Sequence, residues 1–171
     1  MPSIVLTDKN LSEGLFSFDA GSIPEIVEVP PGPRVAKINS YEHDENGITT
    51  EDPTTTKLRQ EKRLLKGEAL AKELEQIECV KAYGDKKSTT ALLCWGSNKG
   101  VCVEAGEPSG LRVIQTIVLE PFPAEQLRAA LKGVKKLICV ENNATGQLAR
   151  LISQHGFSVD QKILKYDGRP F

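Results

Sequence analysis

The sequence predicts an α/β protein: a three-layer sandwich around a small, mostly parallel β-sheet, preceded by an irregular linker and a helix. Two observations carry this prediction. Short, nearly continuous apolar runs alternate with helical segments in the second half of the chain, and prolines and glycines separate them. Such runs are typical of strands that are covered on both faces. Strand, turn and helix repeated at this spacing imply right-handed crossovers and a largely parallel sheet.

The strands and helices of this sheet are expected after residue 80. The predicted strands are Thr90–Trp95, Leu111–Leu119, Lys136–Val140 and Val159–Tyr166. One helix is expected at Ala124–Leu131, ended by Gly133, and another at Thr145–His155. Gly156 then stands at the position after a helix where glycine is favoured.

A connecting helix is predicted over residues 53–80. Asp52 is suited to cap its first turn, where Pro53 is also tolerated. Its apolar residues form a rough stripe, namely Leu58, Leu65, Leu70, Leu74 and Ile77. Residues 1–52 are expected to be an irregular linker, because the cluster Pro30–Pro33 excludes a helix or a central strand. Only Ser3–Leu6 is typical of a strand.

Composition argues against several classes of partner. The 171 residues include 22 basic and 23 acidic ones, so no electrostatic reason favours nucleic acid or an anionic membrane. No apolar run approaches the roughly 20 residues that span a bilayer. The N-terminal residues lack the pattern of a signal peptide, which makes the cytoplasm the expected compartment.

Cysteine and histidine offer little chemistry. The four cysteines contain no CxxC pair, which argues against zinc and Fe–S ligation. Cys94 and Cys139 lie in apolar runs and are expected to be buried, whereas Cys102 follows a glycine-rich turn and is expected to be more exposed. His155 is expected to cap a helix, and His43 to be solvated in a polar turn, with metal binding or proton transfer as its alternative. We therefore predict neither catalytic residues nor a metal site.

Two turns at the carboxyl ends of predicted strands are the candidate ligand site. Ligands bind there in open α/β sheets, and the amides at a helix start attract anions. The candidate residues are Gly96, Ser97, Asn98, Lys99, Gly100, Asn142, Asn143, Thr145 and Gly146. Neither turn has a phosphate-binding fingerprint. The alternative is structural: the glycines shape the turns, and Asn143 or Thr145 caps the helix.

Ordered sequence blocks across almost the whole chain resemble the α subunit of 2-oxoacid:ferredoxin oxidoreductases, and the 2-oxoglutarate branch in particular. The blocks are Val5–Glu13, Glu42–Pro53, Tyr83–Asp85, Trp95–Gly100, Pro121–Glu125, Val140–Leu148 and Lys165–Phe171. The resemblance implies that residues 1–52 contain the remnant of an upstream thiamine pyrimidine-side domain followed by a linker. It also implies a transketolase C-terminal-like domain at residues 81–171.

The resemblance also implies an activity for the complete enzyme. The family oxidises a 2-oxoacid with coenzyme A to an acyl-CoA and carbon dioxide, and two electrons pass to ferredoxin. Thiamine diphosphate and Fe–S clusters do this chemistry, and the resemblance places neither on this chain. The implied partners are the β subunit and other subunits of an oligomer, with ferredoxin reached indirectly.

This sequence departs from the family in three respects. The bulk of the pyrimidine domain is missing, no diphosphate-binding GDG motif is present, and the helix after Gly100 is expected to be shortened to Val101–Glu107. We therefore expect this chain to be inactive alone and to serve assembly and scaffolding. The alternatives are a non-catalytic interaction module and a small anion-binding α/β domain.

Overall fold

The computed structural model describes residues 40–44 and 48–171, and the backbone of two short strands, β1 (Ile4–Val5) and β2 (Val27–Glu28). The chain divides into two compact units, Met1–Glu73 and Leu74–Phe171. Most of the predicted linker, with its proline cluster, lies outside the described residues. Within the described part, no helix is long and apolar enough to cross a membrane.

The strand predicted near the N-terminus is present. β1 pairs in parallel with β2, and Ile4 lies opposite Val27. β2 was not predicted, because its two residues are too few to form a sequence pattern. The pairing gives β1 a partner within the chain.

Helix α1 (Pro53–Leu74) begins where it is predicted to begin but ends six residues early, since it was expected to reach residue 80. At its start the Asp52 Oδ2 atom accepts a hydrogen bond from the Thr55 amide at 2.7 Å. The predicted apolar stripe is largely uncovered: Leu58 and Leu65 are 44% and 43% exposed. The buried residue of the helix is instead Arg59, whose Nε donates to the His43 carbonyl at 2.8 Å.

The second unit contains a five-stranded, mostly parallel sheet, which confirms the predicted fold class. Its strands are β3 (Val80–Gly84), β4 (Thr90–Trp95), β5 (Arg112–Thr116), β6 (Lys136–Glu141) and β7 (Gln161–Leu164). The order is β3-β5-β4-β6-β7, and only β3 runs antiparallel to its neighbour. β3 was not predicted, and its first residue, Val80, was expected to end α1.

Helices cover both faces of this sheet. They are α2 (Asn98–Gly106), α3 (Ala124–Ala130) and α4 (Gln147–Gln154). Leu93 and Ile114 pack on one face with residues of α3 and α4, and Leu92 and Val113 pack on the other face with Cys102 of α2. Successive residues of a strand point to opposite faces, so each apolar strand contributes to both cores.

Helix α2 differs from the sequence prediction at both of its ends. It starts at Asn98, so the second half of the predicted Gly96–Gly100 turn is the first helical turn. It is therefore longer than the predicted Val101–Glu107. At its end Gly106 lies against the sheet so closely that a Cβ atom there would come within 2.8 Å of Val113 Cγ2.

Arg112 connects the start of β5 to two neighbouring loops. Its side chain is buried, with 7% exposure. Nη1 donates to the carbonyls of Ala130 at 2.8 Å and Lys132 at 3.0 Å, and Nη2 donates to the carbonyl of Lys86. The positive charge therefore lies at the C-terminal end of α3, where the helix dipole favours a cation.

We predict that Arg112→Ala lowers the free energy of unfolding by about 2–4 kcal/mol, because three backbone carbonyls in part-buried hydrogen bonds lose a charged donor. Urea unfolding measures the change. Arg150→Ala is the matched control, because Arg150 is exposed on α4 and should change stability by less than about 0.5 kcal/mol. Equal losses in the two variants would show that Arg112 does not hold these loops.

Candidate functional site

The topology opens a crevice between the carboxyl ends of β4 and β6. β4 continues into α2 and then into β5 on one side, whereas β6 continues into α4 and then into β7 on the other side. The two crossovers lie on opposite faces of the sheet, as right-handed connections that diverge require. Ligands of open α/β sheets bind at such switch points.

An open cleft of about 370 Å³ lies at this switch point, and we call it the switch-point cleft. Its lining residues are Trp95, Gly96, Ser97, Asn98, Asn142, Asn143 and Gln147. The two turns singled out in the sequence therefore meet in space. Trp95 and Gln147 were not among the predicted site residues, because neither lies inside a turn.

The remaining predicted residues lie outside the lining of the cleft. Lys99 and Gly100 belong to the first turn of α2, and the Lys99 ammonium is 5.4 Å from the ring centroid of Tyr83. Thr145 is exposed. Gly146 is buried with φ of 67°, so it provides the left-handed conformation that leads the chain into α4.

Asn98 fixes one wall of the cleft. Only 6% of the residue is exposed, and its Nδ2 donates to the Val140 carbonyl at 3.3 Å. This bond joins the start of α2 to β6, so the two sides of the cleft are held together by a side chain that also lines it. Beside it, Trp95 is half-buried and packs against the apolar core.

Glu141, the last residue of β6, carries the main electrostatic feature of this edge. It is fully buried. Its carboxylate accepts hydrogen bonds from the backbone amides of Leu148 at 2.8 Å and Ala149 at 3.1 Å, which lie in the first turn of α4. Asn143 Nδ2 donates to it at 2.7 Å and Cys139 Sγ at 3.2 Å. The sequence interpretation missed this role, although a glutamate that ends an apolar strand just before a helix is a usable signal.

The environment of Glu141 keeps its carboxyl group ionised. Burial by itself would raise the pKa, but the hydrogen bonds from Leu148, Asn143, Ala149 and Cys139 outweigh it, so the pKa of Glu141 is lowered. A helix N-terminus also favours a negative charge. The buried Glu141 carboxylate therefore supplies the negative charge that the N-terminus of α4 favours.

Asn143 accepts hydrogen bonds from three more backbone amides at the start of α4. Its Oδ1 accepts from the amides of Thr145 at 3.1 Å, Gly146 at 2.7 Å and Gln147 at 3.2 Å. The N-cap residue of α4 is Gly146, so the prediction that Asn143 or Thr145 occupies that position is wrong, although Asn143 Oδ1 accepts from the Gly146 and Gln147 amides at the helix start. Since residues 145–149 already donate to protein oxygens, the expectation that these amides attract an external anion has no unpaired donor to support it.

All four cysteines are buried and free. The expectation that Cys102 is more exposed is wrong: it is 2% exposed, because α2 starts at Asn98 and places Cys102 one turn inside the helix, against the sheet. Burial and the nearby Glu141 raise the pKa of the Cys139 thiol. Among the described residues, no group of three or more His, Cys, Asp or Glu side chains is arranged to hold a metal ion.

The two histidines have local contacts. His155 occupies the C-cap of α4, as predicted, and its ring stacks on Phe122 with centroids 4.4 Å apart. His43 forms an antiparallel bridge with Thr49, and its carbonyl accepts the bond from Arg59. Neither histidine lines the switch-point cleft.

We predict that Glu141→Gln lowers the free energy of unfolding by about 2–3 kcal/mol. The carboxamide replaces one acceptor oxygen by an NH₂ group, which then faces a backbone N–H of α4. Chemical denaturation measures the loss. Glu125→Gln is the matched control, because the Glu125 side chain is 87% exposed and should lose less than about 0.5 kcal/mol. An equally small loss in both variants would contradict the assigned role.

The stability contributed by Glu141 should depend on pH in one direction. Its folded pKa lies below the unfolded value of about 4.3, so the contribution is complete above that pH and is lost as pH falls through the folded pKa. We expect the stability gap between the natural chain and Glu141→Gln to shrink on acidification. Comparing the two chains cancels the titration of Glu42, Asp52 and Asp167. A gap that widens as the solution becomes more acidic would overturn the assignment.

Comparison with known proteins identifies relatives of the chain. No protein-family model matches it. It is 37% identical over 139 residues to the α subunit of 2-oxoacid:ferredoxin oxidoreductase 2 from Aeropyrum pernix, a match that covers 78% of this chain and 22% of the relative. It is 35% identical over 133 residues to the α subunit of 2-oxoacid:ferredoxin oxidoreductase 1 from Sulfurisphaera tokodaii, covering 76% and 21%. The chain thus spans about a fifth of the length of these curated relatives.

A solved structure has the same fold. The 2-oxoglutarate:ferredoxin oxidoreductase from Magnetococcus marinus, with 2-oxoglutarate, coenzyme A and succinyl-CoA bound, matches with a TM-score of 0.62 and 23% identity. The match covers 90% of this chain and 27% of that one. At this identity it supports the fold alone. The sequence matches go further: the chain is homologous to a part of the α subunit of 2-oxoacid:ferredoxin oxidoreductases.

Proposed function

We propose that this chain works as a part of the α subunit of a 2-oxoacid:ferredoxin oxidoreductase, and that this part serves assembly and scaffolding. The observation that carries the proposal is the identity of 37% to one such subunit over 78% of the chain. The proposed substrate is a 2-oxoacid of the 2-oxoglutarate type, on the strength of the ordered sequence blocks alone. The proposed compartment is the cytoplasm.

The complete enzyme would use thiamine diphosphate for the carbon chemistry, Fe–S clusters for the electrons and coenzyme A as acyl acceptor. The described residues do not fit the first two groups. The cysteines are buried in the cores on both faces of the sheet, and the helix start at the cleft already holds the Glu141 carboxylate where a diphosphate would need free amides. We therefore propose that these groups bind to other parts of the enzyme, and that this chain alone has no turnover.

Exposed apolar side chains at the edges of the second unit support an assembly role. At the β7 edge Ile163 is 41% exposed, and Tyr166 and Phe171 in the following segment are 71% and 40% exposed. At the β3 side Ile77 and Ile117 are 49% and 47% exposed. Edge strands with apolar side chains are prone to pair with other chains. The β7 edge is the proposed contact with the β subunit, in an oligomer that reaches ferredoxin indirectly.

The switch-point cleft is a second functional candidate within the same unit. Its position at the diverging ends of β4 and β6 and its polar lining support ligand binding there. The binding residues proposed are those of the two turns that line it, namely Gly96, Ser97, Asn98, Asn142 and Asn143. Lys99, Gly100, Thr145 and Gly146 would act through turn and helix geometry.

Co-expression with a β subunit of this family tests the assembly proposal. We expect the chain to co-purify with that subunit under gentle conditions. We also expect Ile163→Asp to reduce the co-purified fraction several-fold, because a charge then enters an apolar contact. Ala129→Asp is the control, since Ala129 is exposed on α3 away from β7. Failure to co-purify, or equal effects of both variants, would contradict the proposal.

Turnover separates the subunit from a non-catalytic interaction module. If the chain is a subunit, thiamine-dependent oxidation of 2-oxoglutarate appears only when this chain is added to the remaining subunits. If it is an interaction module, the chain binds them and the rate of 2-oxoglutarate oxidation does not change. Ferredoxin reduction, followed by absorbance, is the measurement.

A further inference from the structure

The switch-point cleft is lined without charge. Its side chains are carboxamides, a hydroxyl and an indole, contributed by Asn98, Asn142, Asn143, Gln147, Ser97 and Trp95. Asn98 is nearly buried, and Asn143 is bonded within the protein through both its Oδ1 and its Nδ2. The exposed Asn142 and Gln147 each present a donor N–H beside an acceptor oxygen. Such an edge pairs with another group that carries an acceptor beside a donor, as in the paired contacts of Asn and Gln with adenine. Trp95 adds apolar surface next to these groups.

The groups beside the cleft include a carboxylate, and the helix amides there are already bonded. The Glu141 carboxylate lies 2.7 Å from Asn143 Nδ2, directly behind a lining side chain. The five amides of residues 145–149, which would otherwise point at a ligand phosphate, donate to Asn143 and Glu141. Lys99 lies over Tyr83, and Lys162 passes beside Gly146; neither lines the cleft.

From these two observations we propose that the cleft binds a neutral ligand group with a hydrogen-bond donor and acceptor on one edge, of the nucleobase or carboxamide kind. We propose further that Glu141 and Asn143 determine this specificity by occupying the helix start with an internal anion. The inference rests on the proposal that the switch-point cleft is a binding site. It differs from the anionic class of ligand expected from the sequence.

Nuclear magnetic resonance of the full chain labelled with ¹⁵N tests the inference. The probes are adenosine for a nucleobase, N-acetylglycinamide for a peptide-type carboxamide, and inorganic phosphate for an anion. We expect at least one neutral probe to shift the Trp95 indole and the Asn98 and Asn142 side-chain signals saturably, and phosphate to leave them unchanged. The neutral probe that binds shows whether the cleft accepts a nucleobase or a peptide-type carboxamide.

Two glutamines of the same helix provide the matched variants. Gln147→Ala should weaken binding of the neutral probe about tenfold, which corresponds to the loss of about 1.4 kcal/mol. Gln154→Ala, at the other end of α4 and also exposed, should leave it unchanged. Asn143→Ala removes the acceptor for residues 145–147, and phosphate should then shift their amide signals.

The outcomes separate the two proposals. Saturable phosphate binding at the cleft of the natural chain would overturn the ligand class while leaving the cleft a binding site. No shift with any probe would overturn both the ligand class and the site. Equal losses in Gln147→Ala and Gln154→Ala would also overturn the inference, because binding would then not depend on the cleft. None of these results bears on co-purification with a β subunit.

Discussion

The ionised carboxylate of Glu141 is the interaction on which the arrangement of this sheet edge depends. A buried charge is costly unless hydrogen bonds compensate it. Here Leu148, Ala149, Asn143 and Cys139 all donate to it. The carboxylate thus joins the end of β6 to the start of α4 and fixes the loop between them. That loop forms one side of the cleft, so a single buried acid sets both the local fold and the chemistry displayed at the edge.

The same constraint explains why a familiar topology lacks the familiar anion site. The chain diverges at β4 and β6 as other open α/β sheets do, and a cleft forms where that divergence predicts one. The helix start beside it is already neutralised by Glu141 and by Asn143. The lining carries no charged side chain, and Asn142 and Gln147 are its exposed carboxamides. The proposed assembly through the exposed edges and the proposed recognition at the cleft therefore involve different surfaces of one small unit.

The parts of the fold and of the cleft that have a strong local sequence pattern could be predicted. The apolar runs at β4 and β6 follow from local rules that packing did not override. β3 was missed because its alternating residues follow a helix without a clear break, and Ile77 fitted the helical spacing. Cys102 was misjudged because the start of α2 was placed too late. Glu141 was missed because a buried carboxylate is recognised by its partners, which are several residues away in sequence.

The most direct test of this account is the side-chain carboxyl titration of Glu141, followed by ¹³C nuclear magnetic resonance in the full chain. The account predicts that the Glu141 carboxyl group titrates with a midpoint below about pH 4.3, the value for an ordinary glutamate. Hydrogen bonds from α4 would then be holding the charge in the core. A midpoint above that value would show that burial prevails over the hydrogen bonds. In that case the neutral character of the cleft would need another origin.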